Sequence, residues 1–107
     1  MRQRFPQFVL RRAARGLLLW DGVIEPHPGV SFRISVEYPP TYPYQEPVLR
    51  VDDPPLRAGA PHRYIDGSIC IHKHHWDPAT GTAASLVPLV AAWLVAYIHW
   101  TRTGEGY

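Results

Sequence analysis

The chain has 107 residues and a mass of 12.2 kDa, which is the size of one compact domain and excludes a two-domain enzyme. With 46% hydrophobic and 19% charged residues it cannot remain disordered, and twelve prolines exclude a plain helical bundle. The net charge is +2 and most basic residues are scattered, so general nucleic-acid binding is poorly supported. We therefore predict one domain over residues 1–107, built of strands joined by rigid loops.

Cysteine content bears on the cellular setting. Cys70 is the only cysteine, so no intramolecular disulfide can form, and a reducing cytoplasm is the expected location. Residues 1–6 lack the apolar run of a secretory signal. The sequence thus predicts a cytoplasmic protein.

The first predicted element is an amphipathic helix of about three turns in residues 5–15. Phe5, Phe8 and Val9 would form its apolar side. Its outer face would be basic, with Arg11, Arg12 and Arg15.

Strands follow the helix in the predicted order. Residues 17–25 form an apolar run, and residues 31–38 alternate apolar and polar side chains as a half-buried strand does. Residues 26–29 (PHPG) predict a hairpin turn that makes these strands antiparallel neighbours. A shorter third strand is predicted at residues 48–51, after a proline-rich link at residues 39–47.

The last predicted element is a core helix. No residue from 82 to 101 carries a formal charge, a length that would permit a membrane span, but Ser85, Pro88 and His99 interrupt it. We favour a buried helix with Ser85 as N-cap and Pro88 in the first turn, and we predict no membrane association. Its inward face consists of residues at three- and four-residue spacing: Leu86, Leu89, Val90, Trp93, Leu94, Tyr97 and Trp100.

Candidate chemistry concentrates in residues 61–78. Cys70 among several polar side chains indicates either a nucleophile or a metal ligand, and a small buried cysteine is the third interpretation. A zinc shell would use Cys70, His72, His74 and His75, with His62 as a further ligand. No CxxC or HxxxH pair marks a structural zinc site, so we predict no metal or other cofactor.

Three motifs in this order resemble those of the ubiquitin-conjugating enzymes. YPPTYPYQEPVLRV at residues 38–51 resembles the aromatic-Pro, Tyr-Pro-aromatic and Pro signature between two strands of that family. GSICI at residues 67–71 resembles its Gly-x-Ile-Cys-Leu, and WDP at residues 76–78 its Trp-x-Pro. The resemblance implies a minimal α+β fold: an N-terminal helix, an antiparallel β-meander of four strands, an active-site loop and the central helix. The C-terminal helices of the family would be missing, since only residues 101–107 follow.

The departures from the family pattern point to a subgroup. Its His-Pro-Asn triplet falls on Ala60, Pro61 and His62, and the segment between Cys70 and Trp76 is two residues shorter than in the common eukaryotic pattern. The chain in this respect looks most like short bacterial conjugating-type proteins, including those encoded beside cGAS-like nucleotidyltransferases in antiphage (CBASS) operons. An acidic group that often positions the incoming lysine would be lost with the C-terminal helices.

The resemblance implies a cysteine-dependent acyl transferase in antiviral defence. Cys70 would form a thioester with the C terminus of a protein donor, either a ubiquitin-like protein or a cGAS-like nucleotidyltransferase, and pass it to a lysine. An activating enzyme is a further possible partner. His62 could act as oxyanion donor, as base or only as a structural loop residue.

Other residues have predicted supporting roles. His72, His74, Trp76 and Asp77 would form the rim of the active site, and Lys73, the only lysine, could accept the acyl group in self-modification or be an ordinary solvated lysine. Partner binding is predicted for the arginines near the N terminus, which are Arg4, Arg11, Arg12 and Arg15.

Two further predictions concern function and backbone. A non-catalytic module of the same fold that scaffolds a partner is the alternative function, and hydrolysis of the donor's tail or of an isopeptide bond is a side activity. The Tyr42–Pro43 peptide bond is a candidate for the cis form.

Overall fold

The computed structural model describes residues 3–13, 16–64, 66–71 and 76–105, and within them it has four strands and one helix. The strands form a single antiparallel sheet in the order β1-β2-β3-β4, so neighbours in the chain are neighbours in the sheet. This is the α+β meander that the resemblance implies. The elements are β1 (Val9–Arg12), β2 (Leu18–His27), β3 (Val30–Glu37), β4 (Val48–Asp53) and α1 (Ala83–Thr103).

The hairpin between β2 and β3 confirms the predicted antiparallel pair. His27 pairs with Val30, so the turn consists of Pro28 and Gly29. Gly29 has φ of 79° and its N–H donates to the Glu25 carboxylate at 2.9 Å. Proline followed by a glycine with positive φ is typical of a type II turn.

The predicted N-terminal helix is wrong, because residues 9–12 form β1 instead. Phe5, Phe8 and Val9 have helical spacing, but Phe8 alone among them is fully buried, and a turn from Phe8 N–H to Phe5 C=O precedes the strand. Pairing with β1 satisfies backbone N–H and C=O groups on the edge of β2 that would otherwise lack partners. These hydrogen bonds outweigh the weak helix propensity of residues 9–12. Arg11 and Arg12 therefore lie on an edge strand rather than on a helix face.

Asp21 and Gly22 form no turn, although this residue pair is common in turns. Both lie inside β2, where Gly22 pairs with Ile34 of β3. A Cβ at Gly22 would lie 2.7 Å from the Phe8 ring. The glycine thus leaves the space that the buried aromatic ring occupies.

Helix α1 begins three residues earlier than predicted, with Thr82 as N-cap. Ser85 is its partner in a capping box: Ser85 N–H donates to Thr82 Oγ1 at 3.1 Å, and Thr82 N–H donates to Ser85 Oγ at 3.2 Å. The predicted N-cap at Ser85 is therefore wrong, and Pro88 lies inside the helix instead of in its first turn. The helix ends at Gly104, which has φ of 77°.

The core lies between α1 and the sheet. Aromatic contacts contribute, since Trp93 stacks on Tyr97 at 5.7 Å between ring centroids and Phe32 meets Tyr97 edge-on. By length and composition α1 could also cross a membrane, but its inward side packs in this core as in any core helix. The buried helix residues are Ala83, Leu86, Val87, Val90, Trp93, Leu94, Tyr97 and Ile98.

Gly22→Ala should destabilise the protein by about 1–3 kcal/mol because the methyl group collides with the Phe8 ring. Urea unfolding of Gly22→Ala, Phe8→Ala and the double variant measures the coupling. We expect Gly22→Ala to be harmless in the Phe8→Ala background, where the ring is gone. Equal losses in both backgrounds would show that the ring is not the cause.

Candidate active site

Cys70 lies at the end of a short antiparallel loop that runs from residue 62 to residue 70. Cys70 N–H donates to His62 C=O at 2.8 Å, Arg63 forms a bridge with Ile69, and Tyr64 N–H donates to Ser68 C=O at 2.9 Å. These bonds place residues 62 and 70 directly opposite each other. The structure brings the backbones of His62 and Cys70 together, and the catalytic roles predicted for their side chains stay predictions.

Ile69 attaches this loop to the sheet. Its side chain is buried in the core, and its N–H donates to Leu49 C=O of β4 at 2.8 Å. Cys70 follows immediately and is half-buried. The cysteine therefore has a fixed backbone and a partly accessible side chain, and it is not sealed in the interior.

His62 has an unusual backbone for a residue with a side chain. Its φ is 58°, the only positive φ outside glycine in the described part of the chain. Histidine and asparagine are among the residues that tolerate this left-handed region best. The asparagine of the His-Pro-Asn triplet in the family that the sequence resembles and His62 of this chain can thus both adopt a positive φ at this position.

Tyr64 makes a side-chain contact to the cysteine that sequence reasoning missed. A hydrogen bond with the Cys70 side chain, with burial and the nearby charges of Cys70, Glu46 and Asp66 as further causes, raises the pKa of Tyr64 to about 12. At neutral pH its hydroxyl is therefore protonated, so it can donate to the sulfur of a Cys70 thiolate. Asp66-Gly67 is a turn pair in the sequence, but a two-residue turn would pair residue 65 with Ser68, so the observed pairing of Tyr64 with Ser68 could not be read from it.

The turn of this loop is held by Asp66. Its carboxylate accepts from Ser68 Oγ at 2.6 Å and from Ser68 N–H at 2.9 Å, and these two bonds lower the pKa of Asp66. Arg50 of β4 lies 3.5 Å from the same carboxylate. Gly67 completes the turn with φ of 88°.

A cavity of about 410 Å³ lies beside the loop. Tyr64, Ser68 and Ile69 line it on one side, and Glu46 and Leu49 line it on the other. Tyr64 both lines this cavity and contacts the Cys70 side chain, whereas Cys70 itself is not among the residues that line it.

Trp76 anchors the chain after the active-site loop. Its Nε1–H donates to Pro43 C=O at 2.6 Å, and its ring lies 6.1 Å from that of Tyr42. A Cβ at Gly81 would lie 2.6 Å from the indole, so the ring is enclosed from both sides. The Tyr42–Pro43 bond is cis, as predicted, and the Asp53–Pro54 bond is cis as well.

The remaining predicted site residues divide into three groups. Asp77 accepts from Ala79 N–H at 2.9 Å in a turn, so its contact is local, and its rim role and that of Trp76 stay predictions. Arg4, Arg11 and Arg12 lie on or before β1, at the sheet edge opposite to β4 and the Cys70 loop. Outside the described residues lie His72, Lys73, His74, His75 and Arg15.

The described residues do not form a zinc site. In the ranges that the structure describes, no group of three or more His, Cys, Asp or Glu side chains could hold a metal ion. Cys70 and His62 are the described members of the proposed shell, and the other three histidines lie outside those ranges.

The meander, the cysteine loop attached to its fourth strand and the following core helix are consistent with a minimal fold of the ubiquitin-conjugating (E2) type. A relative, the ubiquitin-conjugating enzyme E2-18 kDa of Drosophila melanogaster, is 31% identical over 84 residues, which are 70% of this chain and 52% of the relative. The chain thus spans about half the length of this curated relative. The family model of the type II CBASS E2 proteins matches residues 1–106, so the chain belongs to that family.

Ser68→Ala should destabilise the protein more at neutral pH than in acid. The pKa of Asp66 is lowered in the fold, so its ionised form stabilises the native state above the unfolded value of about 3.9, and this contribution is lost as pH falls through the folded value. Removing the Ser68 hydroxyl raises the pKa of Asp66 and shrinks the contribution. The difference in melting temperature between wild type and Ser68→Ala should be larger at neutral pH than near pH ~2.

The control for this measurement is Asp66→Asn, which cannot titrate. Introducing Ser68→Ala into that background should cost a similar amount at both pH values. A difference in melting temperature between wild type and Ser68→Ala that does not change with pH would refute the role assigned to Asp66.

Proposed function

We propose that the protein is a cysteine-dependent acyl transferase that carries the C terminus of a protein donor as a thioester on Cys70 and passes it to a lysine. The observation that supports this most directly is the half-buried Cys70, held opposite His62 and hydrogen-bonded through its side chain to Tyr64. A ubiquitin-like protein or a cGAS-like nucleotidyltransferase is the proposed donor, with an activating enzyme as its possible supplier. The cytoplasm is the proposed location, and bacterial antiviral defence the proposed role.

In the first step the Cys70 thiolate attacks the carbonyl carbon of the activated donor tail. A bond forms between Sγ and that carbon, and the original thiol leaves as a thiolate. In the second step a lysine amine attacks the same carbon, the C–S bond breaks, and the electron pair returns to Cys70. The proton lost by the amine passes to a base, a task that the imidazole of His62 can perform and an asparagine cannot.

Tyr64 has a specific task in this scheme. Because its pKa is about 12, its hydroxyl remains a donor throughout the neutral range and cannot serve as the base. A hydroxyl that donates to sulfur stabilises the thiolate as nucleophile in the first step and as leaving group in the second. In this scheme Tyr64 donates to the sulfur, and the proton of the amine passes to a different group, for which His62 is the candidate.

Water in place of the amine would give hydrolysis of the donor tail or of an isopeptide bond, which we keep as a side activity. Scaffolding without catalysis remains the alternative function. The contact between Tyr64 and the Cys70 side chain favours catalysis, since a scaffold has no need of a donor at the sulfur.

Cys70→Ser should convert a reductant-sensitive adduct into a reductant-stable one or abolish it. The donor protein, prepared with a small-molecule thioester at its C terminus so that no activating enzyme is needed, is mixed with the purified chain and analysed by gel and mass spectrometry. Wild type should form an adduct that reductant cleaves, whereas Cys70→Ala should form none. A wild-type chain that binds the donor without an adduct would support the scaffold alternative.

Tyr64→Phe should slow the discharge of the Cys70 thioester to free lysine about tenfold, since it removes one hydrogen bond to a charged sulfur. Single-turnover discharge measured against pH gives the rate. His62→Asn, which suits the left-handed backbone, is the matched variant. It should flatten the pH profile if His62 is the base and leave the profile unchanged if His62 is an oxyanion donor. An undiminished rate in Tyr64→Phe would remove Tyr64 from the scheme.

A further inference from the structure

The outer edge of β1 is open. Strand β1 stands at the end of the sheet order, and within the described ranges no strand pairs with its other side. All its residues are exposed, including Val9 at 51% and Leu10 at 36%. Such an edge presents backbone donors and acceptors that another chain can pair with.

The register shows which backbone groups face outward. Ala13 N–H donates to Leu17 C=O, and the same register pairs Arg11 with Leu19 and Val9 with Asp21. Hydrogen-bonded and non-hydrogen-bonded pairs alternate in an antiparallel ladder. The backbone N–H and C=O groups of Val9 and Arg11 therefore bond to β2, whereas those of Leu10 and Arg12 point away from it.

A bond on the far side of β2 supports this assignment. The Leu18 carbonyl accepts from Tyr38 N–H on the β3 side, so Leu18 does not face β1. Arg12 is paired with Leu18, and its N–H and C=O are therefore directed outward.

The charge beside this edge is positive. Arg11 and Arg33 both lie within 4 Å of the Asp21 carboxylate, at 3.1 and 3.8 Å, so two guanidinium groups share one acid. The Arg12 side chain donates to the neutral Gly16 carbonyl and keeps its full charge, and Arg4 is exposed nearby in sequence. The Arg11 side chain is 60% exposed.

This charge distinguishes between two occupants. Antiparallel pairing of β1 with β1 of a second copy would bring Arg11 and Arg12 of both chains together across a short strand pair, an arrangement that like charges disfavour. An extended segment with carboxylates on both of its faces would instead meet Arg11 on one face of the sheet and Arg12 on the other, because successive side chains of a strand alternate. The edge thus fits an acidic strand and not a second copy of itself.

We propose that β1 is a docking edge on which an extended acidic segment of a partner protein adds as a further strand. Main-chain bonds to Leu10 and Arg12 would supply the pairing, and Arg4, Arg11 and Arg12 would select for carboxylates. Arg11 and Arg12, which the sequence analysis placed on a helix face, would thereby take part in a different mode of recognition. This surface lies at the opposite edge of the sheet from Cys70 and does not depend on the thioester chemistry.

The test uses a short synthetic peptide in which pairs of glutamates alternate with pairs of valines, so that both faces of the extended peptide carry carboxylates, added to the isotope-labelled chain at low salt. Binding should shift the amide resonances of β1 and slow the hydrogen exchange of the Leu10 and Arg12 amides. The same peptide with lysine for glutamate should not bind. The acidic peptide with N-methylated backbone amides retains its charge but cannot pair as a strand, and it should lose most of the affinity.

Variants of the chain locate the interaction. Arg12→Gln and Arg4→Gln should each weaken binding about threefold. Leu10→Pro removes one outward N–H and should abolish pairing, whereas Leu10→Thr, which keeps the N–H, should bind like wild type.

Three results would overturn the proposal. Equal binding of the methylated and unmethylated peptides would show simple charge attraction. Resonance shifts elsewhere than on β1 would indicate another surface. Self-association of the free chain that protects the Leu10 and Arg12 amides would assign the edge to a second copy. If Leu10→Pro fails to fold, the comparison of methylated and unmethylated peptides on the wild-type chain still tests the proposal.

Discussion

The position of the reactive sulfur depends on one pair of backbone hydrogen bonds. Ile69 N–H bonds to Leu49 of β4, and Cys70 N–H bonds to His62 C=O. The first bond attaches the loop to the sheet, and the second folds the preceding segment back over the cysteine. Since the Ile69 side chain is in the core, the loop cannot move without disturbing the packing of the sheet. The fold thus fixes an irregular segment as firmly as a strand.

A second set of contacts holds the other side of this region. Trp76 bonds to the Pro43 carbonyl and packs near Tyr42, which in turn meets Tyr38 at 4.5 Å between ring centroids. The proline-rich link and the segment after the active-site loop therefore support each other. This explains why motifs far apart in the sequence occur together: the aromatic and proline residues of the link form the surface on which the tryptophan rests.

How far the sequence predicts this molecule differs between its parts. Alternation along residues 31–38 predicted β3, and the spacing in residues 86–100 predicted five of the eight buried residues of α1, since long periodic patterns reflect burial directly. Leu89 and Trp100, also predicted to face inward, are only half-buried. The helix start was misplaced because Thr82 and Ser85 are both capping residues and only the geometry assigns their roles. The N-terminal helix was wrong because strand pairing depends on a distant partner. Cys70 and His62 came from motif resemblance, whereas the hydroxyl of Tyr64 required the register of a loop hairpin.

The enclosure of Trp76 constrains where the chain can change in length. Gly81 lies against the indole and is followed at once by the N-cap Thr82, so ring, turn and helix start share one rigid path. An added or deleted residue between positions 76 and 82 would displace the ring or rotate the helix by about 100° against the sheet. Related proteins should therefore accommodate insertions and deletions between the cysteine and the tryptophan, where this chain already differs from the eukaryotic pattern.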